Sequence, residues 1–568
     1  MIKKIISGKL RALTGIHIGT GDRTETTDLP IFRDVIGDIL IPGTAIAGAL
    51  RTLTTRIAPH LGFDKCLALE PPSDDFCDCR ICDLFGSINP SEDLDEEKAK
   101  ASKIWVYNAV LTSDARTSIR DGVGIDRESK SSARTIRAKY DFEIVPKDSV
   151  FTFRIDLQDN VSREQECLLA SILSEWSRGR GNLGGDVARG LGNMQLEDVK
   201  VYNLNLLSID RLMTFLREDD LIKTGTEEKG WLSNHLDEAK KLIEKTVKEQ
   251  KLNVDNDHLY NSFAQIDFTL QFTGGFVVND ILSSVRSNFD FCPKMENGNF
   301  VLPGSSLRGV LRSQAEKIAR SLTTLNSKNG NDFLARCPAC NPHADENSPL
   351  TSCNTLFRKN RKSPEEEVKD EQLCLACRLF GSSYKGSQLY IRDGYLPLSD
   401  KIEIKTMDFL AIDRFTGGGR EGAKFDALAL WQPTFKVSML LENPKEWQLG
   451  WLLLVLRDLK EGLFSVGFGQ NKWFGKTITK DEKIKIGTIT NEYIPTGLKM
   501  NNSFDGFFNT RIWNFEELTT EPKKPVESWI KEFHNELQKF TRVKGMVPSS
   551  DTYFKEDIDK LYPREVVM

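Results

Sequence analysis

Histidine is scarce in this chain. Its 568 residues include six histidines, so chemistry driven by a histidine pair or triad is a minority expectation. No apolar run approaches the roughly 18 residues that a membrane-spanning helix needs, and the run 451–456 is typical of the longest. The stretch 1–10 lacks the apolar region and the cleavage site of a signal peptide. The sequence therefore predicts a cytoplasmic protein without membrane contact.

An excess of positive charge is also lacking. The chain carries 77 Lys and Arg residues against 82 Asp and Glu residues, a formal net charge of −5. Bulk electrostatics therefore does not indicate nucleic-acid binding, and any such contact must come from a local basic surface. Hydrophobic residues make up 39% of the chain, which is enough for a packed core. The length predicts three or four domains, or two large ones with insertions.

Cysteine, by contrast, is present in eleven copies, and nine of them fall into two clusters. Paired Cys-x-x-Cys turns are typical of tetrahedral zinc, because thiolates on one tight turn can bind the same ion. We predict one structural zinc per cluster; reduced thiols and an iron–sulfur cluster are the alternatives. The predicted ligands are Cys66, Cys77, Cys79 and Cys82, with His60 as a substitute for Cys66, and Cys337, Cys340, Cys374 and Cys377, with His343 or Cys353 as substitutes.

An internal duplication organises the chain. Five motifs occur twice in the same order, separated by 261 to 295 residues, and ordered matches of this kind indicate two copies of one domain. The growing separation places about 34 extra residues in the cysteine insertion of the second copy. The matched pairs are Asp28 with Asp290, 41–51 with 302–312, 79–87 with 374–382, 124–127 with 411–414, and 139–141 with 424–426.

The sequence of each copy predicts an α+β domain. An alternating apolar strand (10–18 or 266–272), a helix after Pro-Gly, further strands, a second helix and a glycine-rich turn follow one another, which is typical of a ferredoxin-like core with long inserted loops. A charged helical linker, interpreted as a solvated spacer, separates the copies. The predicted boundaries are 1–205 with a cysteine insertion at about 60–90, linker 206–262, 263–482 with an insertion at about 325–385, and a C-terminal extension 483–568.

These motifs resemble the RAMP superfamily, and more narrowly the tandem-fused backbone subunits of type III (III-D-like) CRISPR effector complexes. The resemblance covers about 1–205 and 263–482, and it rests on the Pro-Gly-Thr/Ser helix starts, the Ile-Asp-Arg and Lys-aromatic-Asp motifs and the glycine-rich loops 179–192 and 462–475. It implies two RRM-like domains, each with a zinc-binding insertion. It also implies a β-hairpin thumb in each, at about 122–150 and 410–436, that flips one guide–target base pair.

The resemblance further implies that the chain binds guide RNA and complementary target RNA and stacks against other RAMP-type subunits. Glycine-rich loops let backbone N–H groups approach phosphates, although a tight hairpin that needs positive φ is an alternative interpretation. The arginines on the first helix of each copy can hold phosphates or face solvent, and those of Ile-Asp-Arg can pin the thumb instead. The predicted RNA-binding residues are Arg51, Arg127, Lys139, Arg180, Arg189, Arg308, Arg312, Arg414, Lys424 and Lys472.

Many members of this family cut target RNA with an aspartate in the loop after the first strand and a divalent metal. The resemblance thus implies that Asp28 and Asp290 are catalytic, with Mg²⁺ as the expected cation. A carboxylate can accept the proton of a 2′-hydroxyl or hold a cation that lowers its pKa, and the flipped base supplies in-line geometry. Two alternatives stay open: a scaffold that only binds RNA, and a guide-processing endoribonuclease working through His17.

Overall fold

The computed structural model of the chain is a mixed α/β structure in which each half is built around one antiparallel sheet. None of the helices in the ranges given next is both long and apolar enough to cross a bilayer. The structure describes residues 2–21, 23, 27–66, 77–87, 100–127, 131–132, 139–217, 221–249, 259–344, 350–361, 368–399, 401–490, 494–496, 498–500, 503–520 and 525–548.

The first half forms a ferredoxin-like sheet. Its four repeat strands lie in the order β9-β1-β7-β3, all antiparallel, with α1 between the first two in chain order and α3 between the last two. This is the βαββαβ order of ferredoxin-like folds. The elements are β1 (Ile2–Ala12), β2 (Leu40–Ile41), α1 (Gly43–Ile57), α2 (Arg80–Phe85), β3 (Ile104–Val106), β4 (Ala109–Val110), β5 (Ser118–Val123), β6 (Lys139–Ile144), β7 (Val150–Leu157), α3 (Arg163–Ser177), β8 (Gly181–Asn182) and β9 (Asn193–Asn205).

Local sequence explains these elements with one exception. Ile46, Leu50 and Ile57 of α1 are buried as their helical spacing predicts, and α3 starts at a capping box in which the Ser162 and Gln165 side chains bond each other's backbone N–H groups. The exception is β1, which ends at Ala12 and therefore lies N-terminal to most of the predicted strand at 10–18. A register shift lies between Ser7 and Lys9, before that segment. The predicted alternation itself holds for the buried residues Leu10, Ala12, Thr14 and Ile16.

The second half repeats the fold. Its strands lie in the equivalent order β20-β11-β19-β15, and the alternating apolar residues Ile266, Phe268, Leu270 and Phe272 of β11 are all buried, as predicted. The elements are β11 (Ser262–Phe272), β12 (Gly275–Phe276), α6 (Ile281–Ser287), β13 (Met295–Glu296), β14 (Asn299–Leu302), α7 (Gly304–Leu325), α8 (Gly330–Arg336), α9 (Cys353–Asn360), α10 (Leu375–Phe380), β15 (Leu389–Ile391), β16 (Gly394–Pro397), β17 (Ile404–Ile412), β18 (Gly419–Trp431), β19 (Thr434–Glu442), α11 (Glu446–Lys460) and β20 (Thr477–Thr488).

Two antiparallel hairpins occupy the predicted thumb regions. β5 pairs with β6 in the first domain, and β17 pairs with β18 in the second. Both hairpins begin before the predicted regions, at Ser118 and Ile404. Predicted segments that lie outside the described residues are 67–76 and 88–90 of the first insertion, 128–130 and 133–138 of the first thumb, 218–220 and 250–258 of the linker, 345–349 and 362–367 of the second insertion, and 491–493, 497, 501–502, 521–524 and 549–568 of the extension.

The linker is a packed part of the first domain. It contains α4 (Ile209–Arg217), β10 (Thr226–Glu227), which extends the first sheet beyond β9, and α5 (Trp231–Lys248). One face of α5 is buried through Trp231, Leu236 and Ile243. The Trp231 indole N–H donates to Glu166 of α3 at 2.7 Å. The spacer helix predicted to be solvated therefore covers part of α3.

The C-terminal extension completes the second domain and touches the first. Its elements are β21 (Phe504–Asp505), β22 (Phe508–Asn514), α12 (Phe515–Thr520) and α13 (Pro525–Lys539). β22 pairs with β20, and Trp529 and Phe533 of α13 are fully buried. Asp505 accepts ion pairs from Arg178 at 2.6 Å and Arg180 at 2.8 Å, both in the first domain. The extension thus connects the two halves.

A buried polar interface holds the domains together. Arg120 of β5 contacts Glu296 at 2.5 Å and Asp393 at 2.7 Å, and all three side chains are at most 6% exposed. Tyr395 Oη accepts the backbone N–H of Gly15 at 2.9 Å. Beside them the glycine-rich loop 179–192 of the first domain lies against the N-terminus of α7. The two carboxylates share one guanidinium, so removal of Arg120 would leave both of them buried without a cation.

Candidate functional site

Each half holds one cysteine tetrad. The sulfur atoms of Cys66, Cys77, Cys79 and Cys82 all lie within 4.8 Å of one another, and those of Cys66 and Cys82 are 3.6 Å apart. Sulfurs bound tetrahedrally to zinc at about 2.3 Å lie about 3.8 Å from one another, so this set fits the ion. Burial raises the pKa of the Cys82 thiol to about 12, and a bound cation must therefore displace protons.

The second tetrad differs from the prediction in one member. Cys340, Cys353, Cys374 and Cys377 come together, and the sulfurs of Cys340 and Cys377 are 3.5 Å apart. The fourth position belongs to Cys353 at the start of α9, one of the substitutes left open, and Cys337 takes no part in the group. Cys337 Sγ instead donates to the carbonyl of Ala339 at 3.2 Å.

Two arginines predicted to contact RNA lie against these tetrads at equivalent positions. Arg51 donates to Cys82 Sγ at 3.3 Å and to the Gly86 carbonyl at 3.0 Å. Arg312 donates to Cys377 Sγ at 3.5 Å and to the Gly381 carbonyl at 3.3 Å. A guanidinium beside a thiolate offsets part of its negative charge. The contacts found are structural, and the RNA contact of both residues stays a prediction.

Three more of the predicted RNA-binding arginines are engaged within the protein. Arg180 is 8% exposed and pairs with Glu175 at 2.6 Å. Arg308, also 8% exposed, donates to the carbonyls of Ala188 and Leu389. Arg127 pairs with Glu316 at 3.1 Å, a residue that also accepts from Arg312 at 2.9 Å. The Ile-Asp-Arg motif of the first copy, which follows β5 in the segment between the two hairpin strands, is thus joined to α7 of the second domain.

The remaining predicted cations are exposed and belong to the thumbs or the glycine-rich loops. Lys139 and Lys424 occupy the same place on β6 and β18, and each lies near a carboxylate on the facing strand, at 3.8 Å and 3.3 Å. Arg414 lies in the turn between β17 and β18. Phe415, the next residue, is 99% exposed, which suits a side chain that inserts between bases.

The two predicted catalytic aspartates occupy identical positions. Asp28 follows a loop and packs beside the thumb strand β6. Its neighbour Leu29 forms a parallel bridge with Phe142 of that strand. Asp290 lies on β18, where Phe291 bridges Ala427 in the same sense. In each domain the aspartate exchanges hydrogen bonds with the aspartate of the Lys-aromatic-Asp motif. Because both domains share this pair of hydrogen bonds, it is a property of the repeated fold.

A cation from the glycine-rich loop completes each cluster. Arg189 and Lys472 end equivalent single helical turns. Arg189 donates to the Tyr140 hydroxyl at 3.2 Å, and Lys472 Nζ lies 5.2 Å from the ring centre of Phe425. Tyr140 and Phe425 are the aromatic residues of the two Lys-aromatic-Asp motifs. Each domain therefore brings three features to one surface: the loop with the predicted catalytic aspartate (the acidic loop), the Lys-aromatic-Asp segment of the thumb strand (the thumb base) and the cation of the glycine-rich loop. In the second domain the cation makes a cation–π contact.

A cleft opens beside the first of these clusters, between the domains. Its volume is about 850 Å³, which falls in the range of small-ligand sites. Thr27 and Pro30 line it from the aspartate loop, and Arg286 and Lys294 line it from the second domain.

His17 is the residue expected to act if the chain processes guide RNA. Its Nδ1 atom lies 2.7 Å from the Glu143 carbonyl oxygen, with which it forms a hydrogen bond.

Sequence reasoning did not single out Asp141 and Asp426 as site residues. The signal was present, because both belong to a motif that recurs in the same order in each copy. What the sequence did not reveal is that the motif lies against the aspartate loop, since that contact joins segments more than a hundred residues apart.

Comparisons with known proteins agree with the duplication. Residues 9–195 and 287–477 each match the model of the RAMP superfamily, together more than half of the chain. Over 206 residues, 35% of this chain and 80% of the relative, the sequence is 28% identical to the CRISPR system Cms endoribonuclease Csm3 of Methanocaldococcus jannaschii. Over 135 residues, 20% of this chain and 55% of the relative, it is 29% identical to the Mycobacterium tuberculosis protein of that name.

Proposed function

The chain belongs to the RAMP superfamily, and from that premise we propose that it is a backbone subunit of a type III CRISPR effector complex. In this role it binds guide RNA together with other RAMP-type subunits. It cuts complementary target RNA once per domain, at a regular spacing, by metal-dependent attack of a 2′-hydroxyl. The name endoribonuclease carried by the two relatives supports this proposal.

One observation carries the proposal: the loop aspartate, the thumb base and the glycine-loop cation meet at the same place in both domains. Cutting RNA beside a flipped base needs those three elements together. The thumb separates the strands, the cation attracts the phosphate, and the carboxylate acts on the nucleophile.

The chemistry asked of the aspartate is proton removal. Asp28 and Asp290 accept a backbone N–H through Oδ2, and among the described residues no hydrogen bond reaches Oδ1 of either. We assign Oδ1 to receive the 2′-hydroxyl proton as the 2′-oxygen attacks the adjacent phosphorus. The P–O5′ bond then breaks, which leaves a 2′,3′-cyclic phosphate on one fragment, and the departing 5′-oxygen takes a proton from water to become a 5′-hydroxyl. A divalent cation suits these carboxylate ligands and would lower the pKa of the hydroxyl.

The test is the pair of variants Asp28→Asn and Asp290→Asn in the assembled complex with guide RNA and an end-labelled complementary RNA. Asparagine still accepts the backbone hydrogen bond but takes no proton, so each variant should lose one cut and keep the other. The double variant should lose both while guide binding is unchanged. A cutting pattern identical to that of the wild type would favour the scaffold. Cutting that resists EDTA would contradict metal dependence.

A further inference from the structure

We propose that Asp141 and Asp426 are positioning residues that hold each catalytic aspartate in register with its thumb. This inference rests on the proposed function and adds two residues to it. It predicts that the position of each cut is set through the thumb strand itself, because the acidic loop is bound to that strand.

In the first domain, a reciprocal pair of hydrogen bonds joins Asp28 to Asp141. The backbone N–H of Asp28 donates to Asp141 Oδ1 at 2.8 Å, and the backbone N–H of Asp141 donates to Asp28 Oδ2 at 3.3 Å. One residue further on, the N–H of Glu143 donates to the Leu29 carbonyl at 2.9 Å. The acidic loop therefore lies beside β6 and pairs with it at one bridge, between Leu29 and Phe142.

The second domain repeats every bond. Asp290 N–H donates to Asp426 Oδ1 at 2.9 Å, and Asp426 N–H donates to Asp290 Oδ2 at 2.9 Å. The N–H of Leu428 donates to the Phe291 carbonyl at 2.9 Å. Loops as different as Asp-Leu-Pro and Asp-Phe-Cys-Pro thus reach one arrangement. The shared element that selects it is the aspartate on the thumb strand.

This geometry holds the catalytic aspartate at two points, its backbone N–H and one oxygen of its carboxylate. Bonds from N–H groups to a carboxylate are charge-assisted and hold it better than neutral bonds. In each domain one such bond occupies Oδ2 of the catalytic aspartate, and no hydrogen bond from the described part of the chain reaches its Oδ1. Without Asp141, the N–H of Asp28 loses its acceptor, while the longer bond to Asp28 Oδ2 and the bonds that join Leu29 and Ile31 to Glu143 remain. A misplacement of about 1 Å can cost about 100-fold in rate.

The experiment compares Asp141→Ala with Asp141→Asn in the complex assembled with guide RNA, cutting an end-labelled complementary RNA. Asparagine keeps an oxygen that accepts the Asp28 N–H, and alanine does not. We expect Asp141→Ala to slow the first-domain cut about 100-fold, with some cutting shifted to neighbouring bonds. Asp141→Asn should restore the wild-type cut. The Asp426 variants should act in the same way on the second-domain cut alone.

A matched control lies on the same hairpin. Asp121 faces Asp141 across the β5–β6 pair, so Asp121→Ala removes a neighbouring carboxylate that makes no bond to Asp28, and both cuts should persist. Hydrogen exchange in the free full chain gives a readout without RNA: the Asp28 amide should exchange faster in Asp141→Ala and not in Asp141→Asn.

Three results would overturn the inference. Unchanged cutting in Asp141→Ala and Asp426→Ala would remove their role while leaving the proposed function intact. An Asp141→Asn variant as slow as Asp141→Ala would show that the charge matters, and not the hydrogen bond. A wild-type complex that makes no cut would remove the proposed function, and this role with it.

Discussion

At the scale of single residues, the second cysteine tetrad separates two variants that the sequence treats as equal. Cys353→Ser removes a sulfur from the group, whereas Cys337→Ser changes a thiol outside it. We expect metal analysis of the purified chain to give two zinc ions for the wild type and for Cys337→Ser, and one for Cys353→Ser, with a lower melting temperature. Equal zinc loss in both serine variants would contradict this assignment.

The sequence favoured Cys337 because a Cys-x-x-Cys turn is a local signal. Membership of Cys353 depends on where α9 begins, and that start is set by the Ser352 side chain, which accepts the Thr355 N–H. The contacts that bring α9 to the turn at Cys374 are tertiary contacts, which the spacing of the cysteines does not reveal. Spacing therefore predicted two tetrads and three of the four ligands of the second.

A second residue-scale prediction concerns pH. Burial lowers the pKa of His60 to about 4 from its usual 6.5, so between those values the unfolded chain binds a proton that the folded chain excludes. Stability is then complete above about pH 6.5 and falls as the pH drops towards 4, by about 2 kcal/mol at pH 5. Urea unfolding at pH 7.5 and 5 should show this loss in the wild type. His60→Gln should lack that part of the slope, and equal slopes would contradict it.

At the scale of elements, the glycine-rich loop 179–192 serves packing as well as any RNA contact. Gly190 has a φ of +112°, and a Cβ there would lie 2.2 Å from Asp393 Oδ1 and 3.0 Å from the Gly304 Cα. Gly190→Ala should therefore loosen the domain interface and lower the melting temperature by several degrees. Gly309→Ala, in open space on α7, should be neutral or stabilising by about 0.5–1 kcal/mol. Equal melting temperatures for both variants would contradict this reading.

The elements that the sequence predicted best are those with strong periodicity. The buried faces of α1 and β11 follow directly from apolar spacing. α5 was misjudged because its charged residues suggested a solvated helix, although its stripe of Trp231, Leu236 and Ile243 packs on α3. The extension gave no local signal for its role, since β22 gains its place only by pairing with an edge that a distant segment, β20, provides.

At the scale of the whole molecule, a buried charge cluster joins the two domains at their interface. Arg120→Met leaves Glu296 and Asp393 without their cation in a buried site. The loss should be about 3–5 kcal/mol in the free energy of unfolding. Lys9→Met, at an ion pair whose side chains are 58% and 62% exposed, should change it by about 0.5 kcal/mol or less. Denaturant titrations of the two variants check this, and similar losses would contradict it.

The same interface indicates that copies of this protein do not assemble head to tail. Gly475 and Gly192 make the same N–H bond, to Gly275 at 2.9 Å and to Gly15 at 2.7 Å, which places Trp473 where the first domain has Gly190. Trp473 is 74% exposed. Its side chain blocks the close backbone approach that Gly190 makes to Gly304, so the second loop cannot dock as the first does.

At the opposite end of the chain, the N-terminus of α1 is the equivalent of the α7 N-terminus that the first domain's loop contacts. Gly43 donates its N–H to Asn108 at 2.8 Å, as Gly304 donates to Asp393 at 2.7 Å. We therefore expect the wild-type chain to be monomeric by light scattering, because its two ends do not match, and Trp473→Gly to self-associate more strongly. A wild type that self-associates as strongly as Trp473→Gly would contradict this. A head-to-tail contact between identical ends continues without closing, and we expect Trp473 to keep the chain from forming such an open series with itself.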